Sequence, residues 1–203
     1  MHNKDHWYDG WFYDKLIAPN QDRIFAEIKK IIKPNARIVD VGCGTGRLSF
    51  KLVDKTESIT GIDLSRKNID SANKKLAKIP NDKLSFKHTT IDELIDNNYH
   101  FDYAVMTYVI HEVNAEDRVE LLGKMSRIAD MIIIGDYLVP AKKGFWNILN
   151  EVVEFLAGNE HYRNYKHFIS NCGLEGLAKE ASLKIVNKIE NRPATSQILV
   201  LSK

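Results

Sequence analysis

Residues 38–46 read Ile38-Val39-Asp40-Val41-Gly42-Cys43-Gly44-Thr45-Gly46. A β-branched apolar run enters three glycines separated by single residues. Glycine lacks Cβ, so such a turn can take positive φ and let a ligand lie against the backbone. An apolar helical pattern follows at Leu48, Phe50, Leu52 and Val53. Strand, glycine turn and helix in that order predict the nucleotide-binding corner of a doubly wound α/β domain.

Two details bear on which nucleotide. A dinucleotide fingerprint places a glycine directly after Gly46, and this chain has Arg47 there. The run is G-x-G-x-G, and the missing glycine is the one that lets a helix N-terminus approach a pyrophosphate. An acidic residue, Asp40, also precedes the turn. Its charge repels a phosphate and attracts a cationic amino-acid group. Both features favour a ligand with a positive end and no phosphates, such as S-adenosylmethionine.

Together with Gly61-Ile62-Asp63-Leu64-Ser65 and Phe101-Asp102-Tyr103-Ala104-Val105, the run from Val39 to Gly46 resembles the class I S-adenosylmethionine-dependent methyltransferases of small-molecule type. The resemblance extends from about Asn20 to the C-terminus. It implies a Rossmann-like three-layer sandwich whose seven-stranded sheet has its last strand reversed. It also implies an acidic residue after the third strand to take the adenine amino group. That place holds Thr90, with Ile91 beside it and Asp92 two residues on, so the chain departs from the family there.

Length and composition are compatible with this reading. The 203 residues suit one domain, 1–203, and 44% are hydrophobic, enough for a core. Twenty-nine basic against 27 acidic residues leave a net charge of +2. Such near balance gives no argument for nucleic-acid binding. Cys43 and Cys172 are not spaced as a metal site or a disulfide framework. A reduced, cytoplasmic setting is expected. The N-terminus is too polar for a secretory signal, and no apolar run is long enough to span a bilayer. A soluble monomer or homodimer is expected.

The pattern also predicts the element order. An aromatic arm, residues 1–19, carries Trp7, Trp11 and Tyr13. It either packs on the sheet or closes over the cofactor as a lid. Asn20 reads as the N-cap of a helix bearing Ile24, Ile28 and Ile31. Strands are expected at 37–41, 58–62, 84–88, 101–106, 131–135, 183–190 and 197–201. Ser65 and Asn114 read as helix caps. Helices between most strands argue for a mainly parallel sheet. A cap insertion is expected over about 140–166, with an amphipathic helix (Phe145, Ile148, Leu149, Val152, Val153, Leu156) and a polar segment from Gly158 to Lys166 before a further helix.

In open α/β sheets ligands lie beyond the carboxyl ends of the strands. That rule selects residues 40–46, Asp63, the residues after His88, those after Met106, and Asp136-Tyr137. With the positions the resemblance implies, the cofactor candidates are Asp40, Gly42, Cys43, Gly44, Thr45, Gly46, Asp63, Leu64, Thr90, Ile91 and Thr107. Asp63 suits the two ribose hydroxyls, since a carboxylate accepts both as charge-assisted bonds; otherwise it is a helix-start carboxylate. Asp40 suits the methionine ammonium, or is a buried carboxylate held by the turn. Cys43 fits a tight turn better than it fits a nucleophile. Arg47 reads as a helix-surface cation. Tyr108 is expected beside the sulfonium. His111 is a candidate general base, or a hydrogen-bonded histidine closing the strand end. His111-Glu112 lacks the second histidine of a zinc helix, so no metal is expected. Tyr13, Tyr137, His161 and Arg163 are candidate acceptor contacts. The expected activity is methyl transfer from S-adenosylmethionine to a small molecule, with an apolar, quinone- or lipid-like acceptor in view. An RNA or protein methyltransferase, or a non-catalytic cofactor-binding partner protein, are the alternatives.

Overall fold

Strand β1 (Ala36–Val41) is buried at every position except Arg37. A strand buried on both faces has to lie inside a sheet, and near-continuous apolar runs of this kind mark parallel sheets. β1 pairs in parallel with β2 (Thr56–Asp63) on one side and β4 (Phe101–Thr107) on the other. The computed structural model describes residues 18–140, 151, 154–155, 158–191 and 195–203, the side chains from residue 21 onward. Among these residues β3 (Leu84–His88), β5 (Ala129–Tyr137), β6 (Lys184–Glu190) and β7 (Ser196–Ser202) complete a seven-stranded sheet. Its order is β3-β2-β1-β4-β5-β7-β6. β7 runs antiparallel to both neighbours, so it is the reversed strand.

Side chains alternate faces along each strand, and this splits the core in two. On one face, Ile38, Ile59, Val105, Ile133 and Val200 pack with helices α1 (Ala18–Ile31), α2 (Arg47–Leu52) and α3 (Arg66–Lys78) through Ile24, Ile28, Leu48 and Ile69. On the other, Val39, Ala104, Ile132, Ile134 and Leu199 meet α4 (Ile91–Asp96), α5 (Arg118–Ile128), α6 (Asn159–Ser170) and α7 (Gly173–Glu180) through Leu94, Leu122, Phe168 and Leu177. Helix, sheet and helix form the expected three-layer sandwich.

Several local expectations change. α1 starts at Ala18, so Asn20 lies in its first turn instead of capping it. Pro19 is tolerated there because first-turn amides have no intrahelical partner. Ser65 does cap α3, accepting from Asn68 N at 3.3 Å. Asn114 instead precedes a 3-10 turn (Ala115–Asp117), and α5 begins only at Arg118. The polar stretch after Gly158 is itself helical, as the opening turns of α6. α4 was missed; at six residues it is too short for periodicity to reveal. The arm through residue 17, with Tyr13, lies outside the described residues. So do Phe145, Ile148, Leu149, Val152, Val153 and Leu156 of the cap pattern, apart from helical positions 151, 154 and 155. No helix among the described residues is long and apolar enough to cross a membrane.

Candidate active site

The sheet reverses its winding between β1 and β4, the switch point at which such folds open a crevice. The glycine turn stands at that point. Gly42 N and Cys43 N both donate to Ile62 O, at 2.8 and 3.0 Å, which pins the turn to the end of β2. Gly42, Gly44 and Gly46 all have positive φ, at 70°, 55° and 78°. Their surroundings differ. A Cβ on Gly42 would come within 2.6 Å of Val109 Cγ2, and one on Gly46 within 2.6 Å of Phe86 Cζ. A Cβ on Gly44 would meet nothing within 4 Å. Two glycines therefore serve close packing, and the third keeps an open approach to the backbone.

Asp63 is fixed from both sides. Its Oδ2 accepts from Gly44 N at 2.8 Å and its Oδ1 from Ser65 N at 2.7 Å. Leu64, next in the chain, is 67% exposed. Asp40 is buried, and Ser49 Oγ donates to its Oδ2 at 2.6 Å. Burial raises the Asp40 carboxyl to about 6; the Ser49 bond opposes the rise and the Asp63 charge adds to it. The Cys43 thiol is also pushed up by burial, with Asp40 and Asp63 adding, so it is no nucleophile at neutral pH.

These groups fit S-adenosylmethionine. Gly44 leaves room against the backbone, Asp40 offers a buried carboxylate to an ammonium, Asp63 offers lone pairs to a ribose, and Leu64 offers an apolar platform to an adenine. Thr90 caps α4, its Oγ1 accepting from Glu93 N at 3.2 Å. Ile91 is buried behind it, and Asp92 pairs with Lys124 on α5 at 2.9 Å. Arg47 does more than decorate a helix surface. Its guanidinium binds Gln21 Oε1 at 2.7 Å and Asp22 Oδ1 at 2.9 Å, joining the turn to α1.

Across the switch point, β4 ends in Thr107 and Tyr108. Tyr108 has φ of 55°, a strained conformation for an aromatic residue. Its amide donates to Gly135 O at 2.8 Å, and its ring meets Tyr137 edge-on at 5.8 Å. Next to it lies a buried polar cluster. His111 Nδ1 is 2.7 Å from Asp136 Oδ1, and its Nε2 lies 3.5 Å from Glu154 Oε1, an ion-pair distance. Tyr137 OH donates to Glu154 Oε1 at 2.6 Å. His161 lies 3.9 Å from Glu154 and 3.8 Å from Glu112. Burial alone would lower the His111 pKa, but the two carboxylates raise it well above the usual value. Glu154 moves the other way: burial would raise its carboxyl, but the bonds from His111, His161 and Tyr137 hold it far below the carboxylate range. Tyr165 and Phe168 close the wall, with Tyr137–Tyr165 ring centroids 5.1 Å apart. Arg163 is exposed on α6.

Sequence reasoning missed Glu154, Asp136 as the partner of His111, and Arg118. Arg118 is 1% exposed and donates to Val113 O, His111 O and Asn164 O at 2.8–3.0 Å, tying the loop after β4 to α6. No local pattern marks a buried arginine that binds carbonyls. Asp136-Tyr137 stood at a strand end, which was the available signal for that pair. Among the described residues no group of three or more His, Cys, Asp or Glu side chains is arranged to hold a metal ion.

Comparison with known proteins agrees with this geometry. A methyltransferase-domain family model matches residues 38–130. An uncharacterized methyltransferase of Schizosaccharomyces pombe is 28% identical over 139 residues, covering 61% of this chain and 48% of the relative. A ubiquinone biosynthesis O-methyltransferase of Rhizobium leguminosarum bv. trifolii is 32% identical over 99 residues, 48% of this chain and 39% of the relative. The chain thus matches about half or less of the length of these curated relatives. The magnesium protoporphyrin IX methyltransferase of Synechocystis PCC 6803, solved with bound S-adenosylmethionine, superposes with a TM-score of 0.66 at 16% identity, over 96% of this chain and 85% of that one. Taken with the glycine turn, the acidic end of β2 and the reversed β7, these matches support a class I S-adenosylmethionine-dependent methyltransferase.

Proposed function

We propose that the protein transfers a methyl group from S-adenosylmethionine to a small, largely apolar acceptor of quinone- or lipid-like character. One observation carries the reading. An open, carboxylate-flanked glycine turn and an aromatic wall stand on either side of the same sheet switch point. When bound, S-adenosylmethionine supplies an electrophilic methyl group on a sulfonium. The chain's own task is then to hold two molecules in line and exclude water, and alignment of this kind is worth on the order of 7–11 kcal/mol.

In this reading Asp40, Asp63, Leu64 and the amides of residues 42–46 hold the cofactor, with Thr90, Ile91 and Thr107 at its edges. Tyr108 presents its ring near the sulfonium, a favourable place for an aromatic face. Tyr137 and His161 belong to the acceptor wall, and Arg163 to its rim. His111 can take a proton from an acceptor only when its imidazole is neutral, above its raised pKa. Below that, it is a cation that orients Asp136 and Glu154. The apolar character rests on Tyr137, Tyr165 and Phe168 packed around His111, and on the relative named for ubiquinone biosynthesis.

The test incubates the protein with methyl-labelled S-adenosylmethionine and a cell extract, then follows the label by mass spectrometry. Label in a small organic-soluble molecule is the expected result. Label in RNA or protein, or no transfer despite cofactor binding, overturns it.

A further inference from the structure

Asp136 on β5 and Gln197 on β7 are direct partners across the antiparallel ladder. Opposite residues in such a ladder place their side chains on one face of the sheet. Two positions along, the same face carries Ile134 and Leu199, which belong to the apolar core. Asp136 and Gln197 are both 0% exposed. Asp136 Oδ1 is occupied by His111 Nδ1 and Tyr137 N, each at 2.7 Å. Asp136 Oδ2, and both Nε2 and Oε1 of Gln197, have no hydrogen-bond partner among the described residues.

Buried polar atoms are nearly always paired, because an unpaired one loses its hydration without return. Three such atoms on two adjacent side chains are therefore open to a partner that none of the described residues supplies. Stability alone would favour continuing the pattern of Ile134 and Leu199. The pair also sits at the carboxyl end of β5, joined through Asp136 to His111 and so to the acceptor wall.

We propose that Asp136 and Gln197 form the recognition pair for a polar handle on the acceptor: a hydroxyl or amine on an otherwise apolar, ring-sized molecule. This rests on the methyltransferase reading and deepens it. Asp136 Oδ2 accepts from the handle's O–H or N–H. Gln197 Nε2 donates to the handle's lone pair, and Oε1 takes a further N–H. An acidic handle is refused by the Asp136 charge. A bare hydrocarbon leaves all three protein atoms unpaired, the kind of mismatch that discriminates most strongly between substrates.

The test uses the full chain saturated with S-adenosylhomocysteine and three ring probes of similar size, phenol, aniline and toluene, followed by ligand-observed NMR. Phenol and aniline are expected to bind at least tenfold more tightly than toluene. Gln197→Met is expected to abolish that preference and raise Tm, because it removes two unpaired buried atoms. Asp136→Asn, nearly isosteric, is expected to reduce the preference while keeping the fold. Equal binding of the three probes, an unchanged preference in Gln197→Met, or a lower Tm for that variant overturns the assignment. Binding of S-adenosylhomocysteine is read in the same samples. Its absence overturns the methyltransferase reading; its presence with no probe preference overturns the recognition pair alone.

Discussion

Ser49, on the first helix after the glycine turn, donates a 2.6 Å hydrogen bond to Asp40, the acid that precedes the turn. Both side chains are buried. The bond closes strand, turn and helix into one unit, and it holds a carboxylate whose burial raises its pKa to about 6.

Cofactor affinity should therefore depend on pH. The ammonium of S-adenosylmethionine favours ionised Asp40, so affinity should rise as pH increases through about 6 and level off above it. Asp40→Asn should remove the step and weaken binding at pH 8 by about 1.5–3 kcal/mol, as for bonds to a charged group. Calorimetric titrations from pH 5 to 8 measure both. A pH-independent wild type would contradict the role of Asp40.

Asp63→Ala should weaken S-adenosylmethionine binding by about 1–3 kcal/mol through lost charge-assisted hydrogen bonds. It should also loosen the turn, because Gly44 N loses its acceptor. Unchanged affinity by calorimetry would remove Asp63 from the site.

Gly42 and Gly44 should respond differently to alanine. Each has positive φ, which costs a residue with Cβ about 1–2 kcal/mol. Gly42→Ala also drives a methyl into Val109, and such overpacking adds about 1–3 kcal/mol. Gly44→Ala meets nothing, so its stability loss should stop at the backbone term, while cofactor affinity falls because the methyl stands in the open approach. Denaturant melts paired with binding isotherms separate the two. Equal stability losses would contradict the assignment.

His111 should govern stability on the alkaline side. Its pKa is raised in the fold, so its contribution is complete below about 6.5 and is lost as pH rises through the folded value. Glu154 is depressed, so its share is present above about 4.5 and is lost as pH falls through its lowered value. His111→Gln should cost about 3–5 kcal/mol near pH 6, the usual result of stripping the partner from a buried ion pair. That deficit should shrink at high pH. A pH-independent deficit in denaturation curves would show that packing, not charge, is what His111 provides.

Much of this was legible in the sequence. The glycines, the apolar strand of residues 38–41 and the acid at 63 act through local spacing, which a linear reading captures. Ser65 announced its helix because a cap bonds within three residues. The limits have a shared physical cause. Asn20 and Asn114 look alike to a local rule, yet α1 already includes Asn20 and a 3-10 turn stands between Asn114 and α5. The Asp136–His111–Glu154 cluster joins residues 18 to 43 positions apart in the chain, and only folding brings them together. Arg118 spends its donors on backbone carbonyls, which carry no signature in sequence. Thr90 showed the family's departure but not its consequence, a hydroxyl committed to capping α4.

Leu64 holds most of its side chain in water at the rim of the crevice. Any flat ring that settles on it strips that hydration away, and the loss of hydrated apolar surface carries a negative heat-capacity change. Association at this rim should then grow steadily more exothermic on warming, giving the complex a thermal signature that can be read without knowing what is methylated.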